Sequence, residues 1–178
     1  MILISGPSAA GKSSLAEPIA RELRLPLIEK DVIKEALFDA MGVGDRAWSD
    51  RLSTASYAVM FAIARRQLGA VLDANFKRER HAGGILALCP WPIEVFVTAD
   101  PDEIVRRFQE RAPERHPGHL DQDPEALELI REEAERGPLD IGGPLLVVDT
   151  TNDVDPDDVL RRLRPLLPEE GNPLPAAN

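Results

Sequence analysis

The residues Gly6-Pro7-Ser8-Ala9-Ala10-Gly11-Lys12-Ser13 have the spacing of a loop that cradles phosphate: two glycines with four residues between them, then lysine and a hydroxyl. Glycine at 6 and 11 opens backbone conformations that other residues resist, so the amides of Ser8, Ala9 and Ala10 can turn inward onto phosphate oxygens. Lys12 supplies a charge for the β- and γ-phosphates, Ser13 a hydroxyl for an accompanying Mg²⁺, and Ser14 support on the α-phosphate side. ATP and Mg²⁺ are the expected ligands.

Further along the chain, other groups stand where phosphoryl transfer would need them. Val71-Leu72-Asp73 ends an apolar run in a carboxylate, so Asp73 is expected to reach the metal directly or through water, with Asn75 just beyond orienting an acceptor. The competing reading makes both of them turn residues. Asp31 follows Leu27-Ile28-Glu29 and is read either as the group that orients an attacking hydroxyl and takes its proton, or as the N-cap of the next helix.

Between Arg106 and His119 four arginines face two glutamates. Helical spacing groups Arg107 with Arg111, and with Arg115 they form a candidate lid over residues 107–119 that closes on ATP and excludes water. A solvated arginine face is the alternative. His116 and His119 lack a third ligand to complete a metal site. Phe38, Trp48, Arg51, Tyr57 and Phe61 fall in the longest insertion, where an acceptor pocket would lie. Tyr57, Phe61, Ala64 and Leu68 recur at the spacing of a packed helix face, which leaves Trp48 and Arg51 as the acceptor candidates.

Elements must hold these groups in place. Apolar runs without alternation at 2–5, 27–29, 70–73, 93–98 and 145–149 read as strands covered on both faces. They alternate with helical patterns at 12–23, 32–41, 50–68, 78–88, 101–111, 124–136 and 156–166. The expected class is α/β, a five-stranded parallel sheet with helices on both faces. Asp100-Pro101 with Glu103, and Asp155-Pro156 with Asp158, carry N-cap and capping-box signals. Pro18 inside the first helix predicts a bend.

The 178 residues, 43% hydrophobic, suffice for one domain, expected at 1–167 with a loose proline-bearing tail at 168–178. With 31 acidic against 21 basic residues the net charge is −10, which argues against a broad nucleic-acid surface. The lone Cys89 reads as core filler in a reducing compartment. No apolar run approaches the roughly 20 residues of a membrane span, and Met1-Ile2-Leu3-Ile4 lacks the layout of a signal peptide. A cytoplasmic protein is expected; the oligomeric state is left open.

The order of P-loop, Asp31 after the second strand, Asp73-Ala74-Asn75 after the third and arginines before the last resembles the small P-loop kinases over residues 1–151. The group is that of chloramphenicol phosphotransferase, the zeta-toxin kinases, gluconate and shikimate kinases and the kinase domain of polynucleotide kinases. The resemblance implies a P-loop NTPase fold, Lys12 and Ser13 as nucleotide and metal contacts and Asp31 as acceptor base. It further implies Asp73 near the metal, Arg111 and Arg115 as lid residues, and Asp149-Thr150-Thr151 bordering the adenine. The expected activity is transfer of the γ-phosphate of ATP to a hydroxyl of a small molecule: a metabolite, nucleoside or antibiotic. A polynucleotide 5′-hydroxyl kinase and an ATP-binding switch protein are the alternatives.

Overall fold

The computed structural model describes residues 1–121 and 124–168. Its first strand, β1 (Ile2–Ser5), sends Ile2 and Ile4 into one core and Leu3 into another, as the two-residue period of a strand requires. Around it lie β2 (Leu27–Glu29), β3 (Val71–Asp73), β4 (Ile93–Thr98) and β5 (Leu145–Asp149), all parallel, in the order β2-β3-β1-β4-β5. The order reverses at β1, and an open sheet of this kind presents its ligand crevice at the carboxyl ends beside that point. Register sets Asp73 level with Ile4 on one side and Glu29 on the other, so the segments leaving β1, β2 and β3 emerge together.

Helices cover both faces. α1 (Lys12–Leu23) and α7 (Pro156–Leu163) pack Leu15, Ile19, Val159 and Leu163 against Ile2, Ile4 and Val95. On the other face α3 (Arg46–Ala64) and α4 (Arg78–Leu88) bring Tyr57, Met60 and Ile85 onto Leu3 and Leu72. A third cluster joins α5 (Pro101–Arg111) and α6 (Pro124–Ala134) through Ile104, Phe108 and Ile130, and includes Ala9 of the phosphate loop. This apolar contact fixes the arginine-bearing helix beside the loop. α2 (Lys30–Met41) leads from β2, and short 3₁₀ turns follow α5 at Ala112–Glu114 and Pro117–His119 and α7 at Arg164–Leu166.

The α/β class and the strand positions match the expectations, and several helix details correct them. α2 starts at Lys30 with Glu29 at the N-cap position, so Asp31 lies inside the first turn and caps nothing. α3 starts earlier than expected because Asp45 accepts the Trp48 amide as its N-cap, and it ends at Ala64. Asp100 and Asp155 do cap α5 and α7. Glu103 closes no capping box, since its carboxylate pairs with Arg106 and Arg107. α1 continues through Pro18 as one helix, and Cys89 is buried. Of the tail expected from Pro168, positions 169–178 lie outside the described residues.

At the start of α4 the buried His81 accepts the Lys77 amide through Nδ1 at 2.8 Å and stacks on Tyr57 with centroids 3.9 Å apart. Burial, with the charge of nearby Arg80, pushes its pKa down to about 4. The unfolded chain binds this proton from about pH 6.5, so stability falls as pH drops from there to about 4, by roughly 2–3 kcal/mol from this group, and no further below. Urea unfolding at pH 7 and pH 4.5 should show a smaller acid-induced loss in His81→Gln than in the parent chain.

Candidate functional site

The phosphate loop occupies the turn from β1 to α1. Gly6 has φ +127° and Gly11 φ +81°, both in the region that favours glycine, and a Cβ on Gly6 would collide with the Val97 carbonyl of β4. Ala9, at φ 64°, completes the inward curl. Lys12 folds back over the loop and donates to the Pro7 carbonyl at 2.7 Å. The Ser13 hydroxyl donates to Asp73 Oδ2 at 2.6 Å, which joins the two expected metal groups across 60 residues of sequence. Burial lowers the Lys12 pKa, although Asp73, Asp31 and Glu133 all favour its charge, and burial raises that of Asp73 against the pull of Lys12 and Ser13.

These groups line a crevice of about 1330 Å³, larger than the roughly 300–1,000 Å³ that holds one drug-sized ligand and roomy enough for a nucleotide with a second small molecule. Ser8, Ser13, Ser14, Lys12, Asp31 and Asp73 all face it, and Arg107, Arg111 and Arg115 border it from α5 and the turn beyond. Opposite the loop, Asp31 accepts from Lys30 Nζ at 2.9 Å and from an Arg115 guanidinium nitrogen at 3.0 Å. Burial pushes its pKa up, but Lys30 and Arg115 hold the carboxyl well below the usual range. Arg111 lies over the Phe108 ring, and its Nε is buried without a hydrogen-bond partner. Burial and the nearby Arg115 lower its pKa.

A hydroxyl and a carboxylate fit a small hard cation that completes its shell from phosphates and water. Among the described residues no cluster of three or more His, Cys, Asp or Glu offers a closed protein cage, and His116 and His119 instead pack against Phe38. Asn75 is fixed between Tyr57, whose hydroxyl donates to its side-chain oxygen at 3.0 Å, and Glu133, which accepts from its Nδ2 at 3.1 Å.

Three expected ligand contacts are placed elsewhere. Trp48 donates Nε1 to the Gly42 carbonyl and Arg51 lies over its ring, so the two pin the connection from α2 to α3. The face of α3 that borders the crevice carries Asp50, Ser53, Thr54 and Tyr57 instead. Thr150 is buried behind the loop, with its hydroxyl within hydrogen-bonding distance of the Ala10 and Thr98 carbonyls and of Arg107, which also donates to the Thr150 carbonyl at 2.7 Å. It buttresses the loop from outside the crevice.

Sequence reasoning missed Glu133, Lys30 and, as a site residue, Lys34. Lys30 and Lys34 carried a usable signal, since they stand one turn apart on the face of α2 that holds Asp31. Glu133 meets the loop from 125 residues away, and no local pattern marks it.

Residues 1–136 match the profile of the family described as AAA domain. The chain belongs to that family. A candidate kinase from Chloroflexus aurantiacus j-10-fl is 34% identical with a TM-score of 0.86, over 94% of this chain and 97% of that one. A gluconokinase from Sinorhizobium meliloti 1021 shares the fold at 20% identity and a TM-score of 0.63, over 93% of this chain and 90% of the other. A cytidylate kinase of Ignicoccus hospitalis (strain KIN4/I / DSM 18386 / JCM 14125) is 27% identical over 111 residues, which cover 62% of this chain and 64% of that protein. The match therefore spans less than two thirds of this curated relative. This AAA-domain chain is a small P-loop kinase in family and fold, as its motifs led us to expect.

Glu133 of α6, only 8% exposed, takes a position that would oppose nucleotide. The Ser8 amide donates to its Oε2 at 3.4 Å and Lys77 Nζ lies 3.5 Å from its other oxygen, so a carboxylate faces a loop amide suited to phosphate. Glu133→Gln keeps the shape and removes the charge. Calorimetry should show Mg·ATP bound about three- to tenfold more tightly by this variant, the scale of one partly screened charge; weaker binding would mean that the carboxylate helps to hold the nucleotide complex.

Proposed function

We propose that the chain is an ATP-dependent phosphotransferase that moves the γ-phosphoryl group to a hydroxyl of a small molecule. The observation that carries this reading is the opposition, across one crevice, of the Lys12 and Ser13–Asp73 group and a separately anchored Asp31. A protein that only bound or hydrolysed nucleotide would have no need of the second pole.

In this reading the loop amides and Lys12 would hold the β- and γ-phosphates, and Ser13 and Asp73 would hold Mg²⁺, which when bound would supply charge neutralisation. Asp31 accepts a hydrogen bond from the acceptor hydroxyl and aims its oxygen at the γ-phosphorus. A bond from that oxygen to phosphorus forms as the bond to the bridging oxygen breaks, ADP departs with the electron pair, and the hydroxyl proton is released. Held ionised by Lys30 and Arg115, Asp31 is a weak base, and its main work is orientation. A loose transition state, which calls for little proton removal before transfer, tolerates that.

Arg111, half-buried and with its Nε short of a partner, can turn its guanidinium to the charge that spreads over the transferring group. The segment at 112–119 docks on α2 through Phe38, His116 and Gly118, which supports the lid proposal, with water exclusion as its benefit. The domain bounds 1–167 and the cytoplasmic setting belong to the same proposal; among the described residues no helix is long and apolar enough to cross a membrane.

Screening Mg·ATP against pooled hydroxylated metabolites, nucleosides and antibiotics should reveal γ-phosphate transfer to at least one member. With that acceptor, Asp31→Asn should leave ATP affinity nearly unchanged while transfer drops about 10²-fold, the scale of a mispositioned attacking group. Lys12→Ala should lose Mg·ATP binding in calorimetry. Steady ATP hydrolysis with no transfer to any acceptor, unaltered in Asp31→Asn, would overturn the assignment.

A further inference from the structure

On the acceptor side of the crevice one buried charge has no counter-ion. Lys30 and Lys34, 7% and 6% exposed, stand one helical turn apart on the lining face of α2. Lys30 is paired with Asp31, whereas Lys34 donates to the Ser49 hydroxyl at 2.8 Å, and among the described residues no carboxylate forms an ion pair with it. Among the described residues the acids that act most strongly on Lys34 are Asp31, Asp50 and Asp121. Asp31 is engaged by Lys30 and Arg115, Asp121 lies 3.6 Å from Arg115 Nε, and Asp50 is exposed on α3.

Burial and the neighbouring Lys30 push the Lys34 ammonium down to about 8, so it keeps its charge at neutral pH in a place that disfavours it. The Phe38 ring beneath it, 5.2 Å from Nζ, offers a weak cation–π contact and no counter-charge. A desolvated charge that borders an open crevice without its own counter-ion is suited to a ligand of opposite charge. Lys12, Asp31 and Lys34 line the same crevice, and Asp31 is within electrostatic reach of both lysines, so one small molecule can engage Lys34 and Asp31 together.

We propose that the phosphoryl acceptor is itself an acid: a small hydroxylated molecule whose carboxylate or phosphate pairs with Lys34 while its hydroxyl meets Asp31. The proposal rests on the phosphotransfer reading above and narrows its acceptor. The full chain with Mg·ATP is assayed against matched pairs: aldonic acids and alditols, hydroxylated ring carboxylates and their carboxamides, nucleoside monophosphates and nucleosides. The carboxylate and phosphate arms tell the two anion sources apart.

The acid of at least one pair should be phosphorylated in preference to its neutral partner. Lys34→Met should raise the KM for that acid roughly 30-fold or more, with the KM for ATP unchanged, and Lys34→Arg should restore much of the loss. Equal use of the neutral partners, or an unaltered acid KM in folded Lys34→Met, overturns the inference. Calorimetry of the same pairs on the chain loaded with a non-hydrolysable ATP analogue separates the two claims. Lys34-dependent acid binding without transfer would sink the phosphotransfer reading and leave the anion site standing; absence of such binding sinks the anion site whatever the transfer assay shows.

Discussion

The close approach of Gly6 to the Val97 carbonyl is the constraint on which the site depends. It lets the chain leave β1 pressed against β4, at a point where any side chain would collide with backbone. The loop is thereby seated at the reversal of strand order, with Asp73 of β3 near enough for Ser13 to reach and Thr150, the residue after β5, behind it. Parallel register then delivers the end of β2, and with it Lys30 and Asp31, to the opposite wall at the same height. The chemistry of the crevice is a consequence of strand order combined with one position that has no side chain.

Charge is organised differently inside and outside that crevice. The chain as a whole carries −10, and its exposed ion pairs, such as Arg106 with Glu103 and Glu110, are of the kind that contributes little to stability. Within the crevice cations and carboxylates are matched with few exceptions, and the exceptions are informative. Arg111 has a buried nitrogen without an acceptor, and Lys34 has a hydroxyl where a carboxylate would be expected. A buried cation without a counter-charge costs stability. A charged ligand would supply the partner that each of them lacks.

The fold was largely legible because its signals are local. Apolar runs placed the strands, and Asp100-Pro101 and Asp155-Pro156 placed two helix starts. The P-loop spacing revealed one pole of the site, and the carboxylate ending β3 completed it. The rest depends on contacts that no local pattern encodes. Trp48 and Arg51 have the composition of a pocket wall, yet Trp48 donates to the Gly42 carbonyl and Arg51 lies over its ring. Thr150 sits at a favourable sequence position, yet its hydroxyl is taken up by backbone carbonyls of two other segments. Asp31 was readable as a helix cap only while the start of α2 was set two residues late; with Lys30 as its first residue, the carboxylate is free to meet Arg115, 84 residues away.

Ser49 has one hydroxyl hydrogen and two polar neighbours, Lys34 and the Gly118 carbonyl. The ammonium can only donate, so the hydroxyl's own hydrogen must go to Gly118, and a directed chain of donors runs from α2 through α3 into the proposed lid. Such chains polarise along their length, so positive charge at the α2 end strengthens the hydrogen bond at the lid end. The grip on Gly118 is thus tied to the electrostatics of the α2 wall. The two walls and the roof of the crevice form one polarised unit, in which whatever engages the buried ammonium also alters how firmly the roof is latched.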